Sequence, residues 1–247
     1  MRGILITGTG TGIGKTFITC GLAAALKQRG IRVGVMKPIE TGCEERNGIL
    51  APADAIQLKF FSKCESPIEI ISPCRYRAPR APWVVALEEG REISISLLEK
   101  NYQDILSNHD LTLVEGAGGI MVPIHKDFNF ADLAQKWDLS VVLVTTAKLG
   151  TLNQTLLSLE YLRSKNLNVL GYVVNIHEHT PSDLVSSNLS ALESLACEPF
   201  LGQVPHQDYQ EIFSPQQTDP DHLASIFNNY LKWDKIEVLT TAREGNH

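Results

Sequence analysis

The 247-residue chain is 43% hydrophobic and 20% charged, and its 22 basic and 28 acidic side chains leave a net charge of −6. That length and apolar content suit a large buried core and exclude wholesale disorder. The acidic balance excludes broad electrostatic binding to nucleic acid or to an anionic membrane, yet leaves room for a local basic pocket.

No apolar run approaches the ~20 residues needed to span a bilayer. The N-terminal triplet Ile4-Leu5-Ile6 gives way to glycines and is not a secretory leader. The five cysteines Cys20, Cys43, Cys64, Cys74 and Cys197 are widely spaced, with no C-x-x-C. An odd, dispersed set predicts free thiols in a reduced, cytoplasmic protein, with no disulfide framework or zinc site.

Along the chain, short apolar runs alternate with helical patterns. Ile4-Leu5-Ile6-Thr7 reads as a buried strand, residues 15–29 as a helix stopped by Gly30, and residues 33–36 as a second strand. Ser94 reads as an N-cap, with Ile95, Leu98, Tyr102 and Ile105 following at helical spacing. Residues 111–114 are a strand, and Phe130, Leu133, Ala134 and Trp137 mark a short amphipathic helix. Residues 141–144 are the strongest buried-strand signal. A helix over 151–165, a strand over 169–174, a helix over 181–196 and a last strand over 200–204 follow. Apolar strands without polar alternation are buried on both faces. The expectation is an α/β fold, one doubly wound, mainly parallel sheet with helices on both faces; the glycine-rich stretch Gly8 to Thr16 after its first strand makes it P-loop NTPase-like. Residues 1–233 are expected to form a single domain and residues 234–247 a polar tail. The segment 73–83, rich in proline and arginine, reads as an ordered surface loop, and its Arg75, Arg77 and Arg80 as solvated.

After the first strand comes Thr7-Gly8-Thr9-Gly10-Thr11-Gly12-Ile13-Gly14-Lys15-Thr16. Glycines let the backbone turn tightly and aim its N–H groups inward, and the following helix adds its positive end, which makes a cradle for phosphate. Lys15 can set a point charge on the outer phosphates, and Thr16 can place its hydroxyl on a magnesium ion. The loop carries one residue more than the usual P-loop spacing. The same stretch fits the nucleotide loop of short-chain dehydrogenases, and Tyr161-x-x-x-Lys165 would supply their acid–base pair. Two features oppose that reading: Lys148 stands where a catalytic serine would be sought, and a helix-surface pair at this spacing is common.

Three further residues suit a magnesium and phosphate site. Lys37 ends the second strand, and Glu115 ends the strand over 111–114 and leads into Gly116-Ala117-Gly118-Gly119. Strand ends at this edge of an open α/β sheet face the ligand crevice. A charge between a buried strand and four small residues has little structural purpose. Asp54, at the start of a helical segment, is a second candidate carboxylate, although an N-cap or a solvated acid is the plainer role for it. Magnesium takes few carboxylates and completes its shell with phosphate oxygens and water.

The chain resembles the dethiobiotin synthetase family. The resemblance rests on Gly8-Thr9-x-Thr11-x-x-Gly14-Lys15-Thr16, Lys37-Pro38 with Thr41-Gly42, Asp54-Ala55, and Val114 to Gly119. It continues through Lys148-Leu149-Gly150 with Asn153, Val174-Asn175, and Gly202-Gln203-Val204-Pro205. It implies an ATP-dependent ligase that closes a ureido ring on 7,8-diaminononanoate with CO2, through a carbamate and its phosphorylated anhydride. Lys15, Lys37 and Thr11 would carry the catalysis. ATP would be held by Gly12, Ile13, Gly14, Lys15 and Thr16, bordered by Asp54 and by Glu115, Gly116, Ala117 and Gly118. Its base would be read by Asn175 and Ile176, with Val204, Pro205, His206 and Glu211. Magnesium would sit on Thr16, Asp54 and Glu115. Thr41 would meet the diamine, and Gly150 and Asn153 the substrate carboxylate of the other subunit of a homodimer. Neither nucleic acid nor membrane is an expected partner. Gly10 departs from the aspartate usual in the family, and Thr41 from serine. The individual pieces are shared with partitioning ATPases, so a nucleotide-dependent switch is the rival from a different class. His177-Glu178-His179 reads as a turn, and Cys43 as a pocket-side thiol with nothing to make it a nucleophile.

Overall fold

The computed structural model describes residues 3–176, 180–214 and 219–236. The chain begins with β1 (Gly3–Gly8), α1 (Lys15–Gln28) and β2 (Val33–Met36). Three short strands follow, β3 (Ile39–Thr41), β4 (Glu44–Arg46) and β5 (Ile49–Ala51), and then α2 (Ala53–Ser62), α3 (Ile68–Ile71), β6 (Cys74–Tyr76) and α4 (Pro82–Glu88). The middle comprises α5 (Ile95–Asn108), β7 (Leu111–Glu115), β8 (Pro123–His125), β9 (Phe128–Asn129), α6 (Phe130–Lys136) and β10 (Ser140–Thr145). The last part holds α7 (Thr151–Ser164), β11 (Val169–Asn175), α8 (Ser182–Leu195), β12 (Phe200–Val204), α9 (Tyr209–Ile212), α10 (Pro220–Tyr230) and α11 (Trp233–Ile236).

Six strands form one sheet in the order β12-β11-β10-β1-β7-β2, and every pairing in it is parallel. Alternate residues of a strand face opposite sides. On β10, Val142 and Val144 join the cluster that holds Phe17, Ile18 and Phe227, whereas Leu143 joins Leu159, Val185 and Leu192 of α7 and α8. Helices therefore cover both faces, as the unbroken apolar strands required. Each fully buried Val, Leu or Phe removed from water in this way contributes about 1.5–3 kcal/mol.

The expected strands and helices stand where the sequence places them, to within one or two residues at their ends. Ser94 does cap α5, its hydroxyl accepting the Leu97 N–H at 3.2 Å. Segment 73–83 is a loop only over 77–81, and its two ends correct the sequence reading. Cys74–Tyr76 pairs in parallel with β3, and Pro82 opens α4 as its first helical residue. Nor is Arg75 solvated in the expected way: it donates to the carbonyls of Ser72, Leu50 and Ile68. Arg77 pairs with Glu45 and Arg80 with Glu88. The β4–β5 hairpin turns on Asn47-Gly48, both at positive φ (52° and 80°), the geometry that Asn-Gly favours. Residues 177–179, the His-Glu-His turn of the sequence reading, lie outside the described residues, as does 237–247 of the polar tail.

Candidate active site

A parallel sheet points all its strand carboxyl ends the same way, so residues far apart in sequence meet along one edge. Lys37 follows β2, Gly8 ends β1, Glu115 ends β7, Asn175 ends β11 and Val204 ends β12. A cleft of ≈480 Å³ opens there, lined by Thr11, Gly12, Gly14, Lys15, Thr16, Lys37, Thr41, Asp54, Glu115, Ala117 and Gly118, together with Phe17, Glu40, Ala53, Gln57, Tyr209 and Phe213.

The loop between β1 and α1 reaches its shape through Gly12 and Gly14, at φ 73° and 86°. A Cβ on Gly14 would also meet the Asn175 amide at 2.1 Å and the Tyr209 hydroxyl at 2.7 Å. Helix α1 starts with no side-chain cap and no acid in its first turn. Its leading N–H groups lack intrahelical partners and present positive dipole to the cleft. Lys15 is buried and folds back to donate to the Gly10 carbonyl at 2.8 Å. Burial, with Lys37 nearby, lowers its pKa to about 8. At Gly10 a Cβ would meet nothing within 4 Å, so the missing aspartate is a chemical difference and not a steric demand.

Lys37 bridges the two carboxylates. Its Nζ lies 2.5 Å from Glu115 Oε1 and 2.8 Å from Asp54 Oδ2, and its side chain is 5% exposed. Burial opposes its charge, but Asp54 and Glu115 outweigh that and hold it firmly cationic. Burial likewise opposes ionisation of Asp54, and Lys37 and Thr16 overcome it, keeping the carboxyl below its ordinary value. Thr16 donates to Glu115 Oε1 at 2.9 Å. Asp54 is not an N-cap; it lies in the first turn of α2, behind Pro52.

Glu115 is fully buried, and its Oε2 has no hydrogen-bond partner. Leaving a buried carboxylate oxygen bare costs about 1–3 kcal/mol or more, a cost that a bound cation removes. Among the described residues no three His, Cys, Asp or Glu converge on one point. Two carboxylates and a hydroxyl beside a phosphate cradle are nevertheless the sparse set that magnesium takes. The residues present thus fit the ion.

Glu40 was not singled out in the sequence. It is buried, and its two oxygens accept the N–H groups of Asp54 at 2.8 Å and Ala55 at 3.1 Å. It supplies the cap that Pro52 cannot offer to α2. Burial, reinforced by Asp54, pushes its pKa up to about 7. Tyr209 was also missed: it stacks on Phe17 with centroids 4.6 Å apart, and its hydroxyl meets the Asn175 amide at 2.7 Å. Its i,i+4 spacing to Phe213 was the available cue.

The remaining sequence candidates stand outside the wall of this cleft. Ile13, Asn175, Ile176 and Val204 are buried behind it, where Asn175 donates to the Ile13 carbonyl at 2.8 Å and its Oδ1 has no partner. Gly116 sits under the cleft, its N–H on the Ile6 carbonyl. Pro205 and His206 follow β12, and Glu211 faces a small neighbouring cavity with Asp208 and His222. Gly150 and Asn153 are exposed at the start of α7, beside Leu149, which is 86% exposed. Cys43 is buried, its thiol pushed up to about 11. Tyr161 and Lys165 are not in the cleft: Tyr161 accepts from Asn129 at 2.8 Å and Lys165 pairs with Asp132 at 2.8 Å. Both brace the start of α6, which removes the structural basis for a dehydrogenase.

Comparison with known proteins decides the family. The AAA domain model matches residues 2–211. The ATP-dependent dethiobiotin synthetase BioD of Thermodesulfovibrio yellowstonii is 37% identical over 212 residues, covering 83% of this chain and 88% of that one. The enzyme of the same name from Bacillus velezensis is 36% identical over 93% of this chain and 97% of its own. The chain belongs to the dethiobiotin synthetase family. Among solved structures, MinD of Aquifex aeolicus superposes with a TM-score of 0.56 at 16% identity, covering 100% of both chains. The ParA family ATPase of Chlorobium tepidum gives 0.56 at 15%, covering 91% of this chain and 97% of its own. These likenesses show the fold of this chain, a parallel sheet with helices on both faces. No helix among the described residues is long and apolar enough to cross a membrane.

Proposed function

We propose that the protein is an ATP-dependent dethiobiotin synthetase, which carboxylates 7,8-diaminononanoate with CO2 and closes the ureido ring, releasing ADP and phosphate. The observation that carries this reading, beside family membership, is the convergence of Lys15, Thr16, Lys37, Asp54 and Glu115 on one cleft. Carbamate and phosphoryl group are both anions, and the chemistry asks mainly for anions to be held in line and neutralised. Lys15 and the loop amides receive the phosphates. Lys37 leaves its carboxylate partners in part to hold the carbamate oxygen and the transferring phosphoryl group, and Thr11 lines the same cleft. Thr41 and Glu40 border the diamine end. Magnesium, held by Thr16, Asp54 and Glu115, would supply charge neutralisation of the phosphates. No side-chain nucleophile is required, because the substrate's second amine closes the ring.

Asn175, with Ile176 and the segment from Val204 to Glu211, is the adenine side of this proposal. The buried, unpartnered Oδ1 of Asn175 suits the exocyclic amine of a purine. Gly150 and Asn153 are exposed and outside the cleft, so the reading includes a homodimer in which the start of α7 serves the partner's substrate.

The deciding test is ADP release with magnesium, bicarbonate and ATP, the diamine present or omitted. Diamine-dependent ADP release with one dethiobiotin per ADP supports the proposal. Release indifferent to the diamine would overturn it in favour of a nucleotide switch.

A further inference from the structure

Away from the nucleotide cleft, the thiol of Cys64 and the imidazole of His109 lie in contact, Sγ to Nε2 3.5 Å. Cys64 follows the end of α2 and His109 the end of α5. His109 Nδ1 is 2.7 Å from the Ile105 carbonyl. A carbonyl only accepts, so Nδ1 carries the proton and Nε2 of the neutral ring faces the thiol as a base. The ring rests on Gly34, where a Cβ would come within 3.0 Å of His109 Cγ and Nδ1. A nucleophile, a base in reach of it and a group orienting the base are the elements of an activated thiol.

His109 lines a cleft of ≈690 Å³ together with Ser62, Lys63, Glu65 and Ser66, and Cys64 lies behind that wall, between Lys63 and Glu65 in the chain. That cleft shares no lining residue with the nucleotide cleft. The charged groups lining this cleft are Lys63 and Glu65 on the Cys64 segment, Lys27 from α1, and Arg32, which is paired with Asp110 at 2.9 Å. Burial opposes ionisation of Cys64, but hydrogen bonds with His109, with the Val35 backbone on the outer edge of β2, and with Ser66 outweigh it. They bring the thiol down to about 7. The same contact with Cys64 raises His109 above its ordinary value.

We propose that Cys64 and His109 form a thiolate–imidazolium pair that exchanges with small disulfides entering this cleft, making Cys64 a site of reversible S-thiolation. The Cys64 proton passes to His109 Nε2. The thiolate sulfur attacks one sulfur of the disulfide, the new S–S bond forms as the old one breaks, and the departing thiolate takes the proton from His109. The incoming disulfide is the oxidant, so no other reactant is needed. Cys64 is 3% exposed, so the partner has to be slim enough to reach it from the cleft beside His109.

The test uses the full chain and bis(2-hydroxyethyl) disulfide, with the exposed thiol of Cys197 as the internal reference and peptide mass mapping as the readout. At pH 7 Cys64 is expected to be modified at a rate comparable with that of Cys197, its thiolate character offsetting its burial. Its rate–pH profile should have a midpoint near 7, and His109→Gln should move that midpoint up and slow the reaction at pH 7. Modification of Cys197 first, with Cys64 untouched, overturns the proposal. So does a Cys64 profile that rises only in the ordinary thiol range near 8.5. If His109→Gln fails to fold, the wild-type profile alone supports the proposal or overturns it.

Discussion

Lys37 Nζ donates to Glu115 Oε1 at 2.5 Å, while Glu115 Oε2, in the same buried carboxylate, has nothing to accept from. One oxygen is satisfied by the protein and the other is reserved. That division of labour places a fixed cation and an unpartnered acceptor side by side at the mouth of the phosphate loop.

Lys37→Gln keeps a donor but removes the charge. We expect diamine-dependent turnover to fall by on the order of 10²- to 10³-fold, the size seen when a preorganised charge-stabilising group is lost. Steady-state ADP release measures it, and circular dichroism should show the protein still folded. Near-normal turnover would remove Lys37 from the mechanism.

Glu115→Gln preserves shape and removes the bare acceptor's charge. The magnesium concentration giving half-maximal ADP release should rise at least roughly tenfold, as expected for a direct metal ligand. An unchanged magnesium dependence would show that Glu115 does not hold the ion.

Glu40 is a capping acid borrowed from another segment. Glu40→Ala removes both acceptors from the first turn of α2 and should cost about 0.5–2 kcal/mol, as for loss of other N-terminal caps. Glu40→Gln retains one acceptor and should cost less. Denaturant melts of the two variants against wild type give the order; equal stability of all three would show that the bonds to Asp54 and Ala55 carry no weight.

Lys15, lowered to about 8 by burial and by Lys37, loses its charge in the free protein as pH rises past that value. The second-order rate constant for ATP reports free-enzyme ionisations and should decline above pH about 8. Stability moves the other way. The folded value lies below the ordinary lysine value of 10.5, so between about 8 and 10.5 the unfolded chain holds more protons and this group's contribution to stability rises with pH. A rate profile flat well beyond pH 8 would contradict the placement of Lys15.

Gly21 lies within α1 where Phe227 of α10 docks, and a Cβ there would come 2.0 Å from that ring. Gly21→Ala gains about 1 kcal/mol of helix propensity but overpacks the contact by about 1–3 kcal/mol. The net expectation is a lower melting temperature, by a few degrees at about 2–4 °C per kcal/mol. A raised melting temperature would mean the α1–α10 contact yields freely.

The six sheet strands were legible because each is a short, mostly apolar run without polar alternation, and Lys37 and Glu115 because a charge at the end of such a run is conspicuous. Glu40 was not, since its partners are the amide nitrogens of Asp54 and Ala55, and main-chain donors carry no sequence signature. The Asn47-Gly48 hairpin was available as a turn signal, but its three-residue strands Glu44–Arg46 and Ile49–Ala51 are polar or exposed and show no apolar alternation. The segment 73–83 misled at its two ends because proline and arginine suggest a loop throughout. There Pro82 begins a helix, and Arg75 is held by three carbonyls.

β1 is inserted between β7 and β10, which has a consequence for the order of events in synthesis. A ribosome working from the N-terminus delivers the glycine loop early, but both strands that wall in its root arrive only after residue 110. Until then the loop has a strand on neither side, and the pairings of Ile4 with Leu113 and Ser140 span most of the chain's first half and more. Contacts of such long reach slow folding, because loop closure precedes any gain from pairing. The phosphate cradle is thus made well before the two strands that flank it, and is among the last parts that can be set in place.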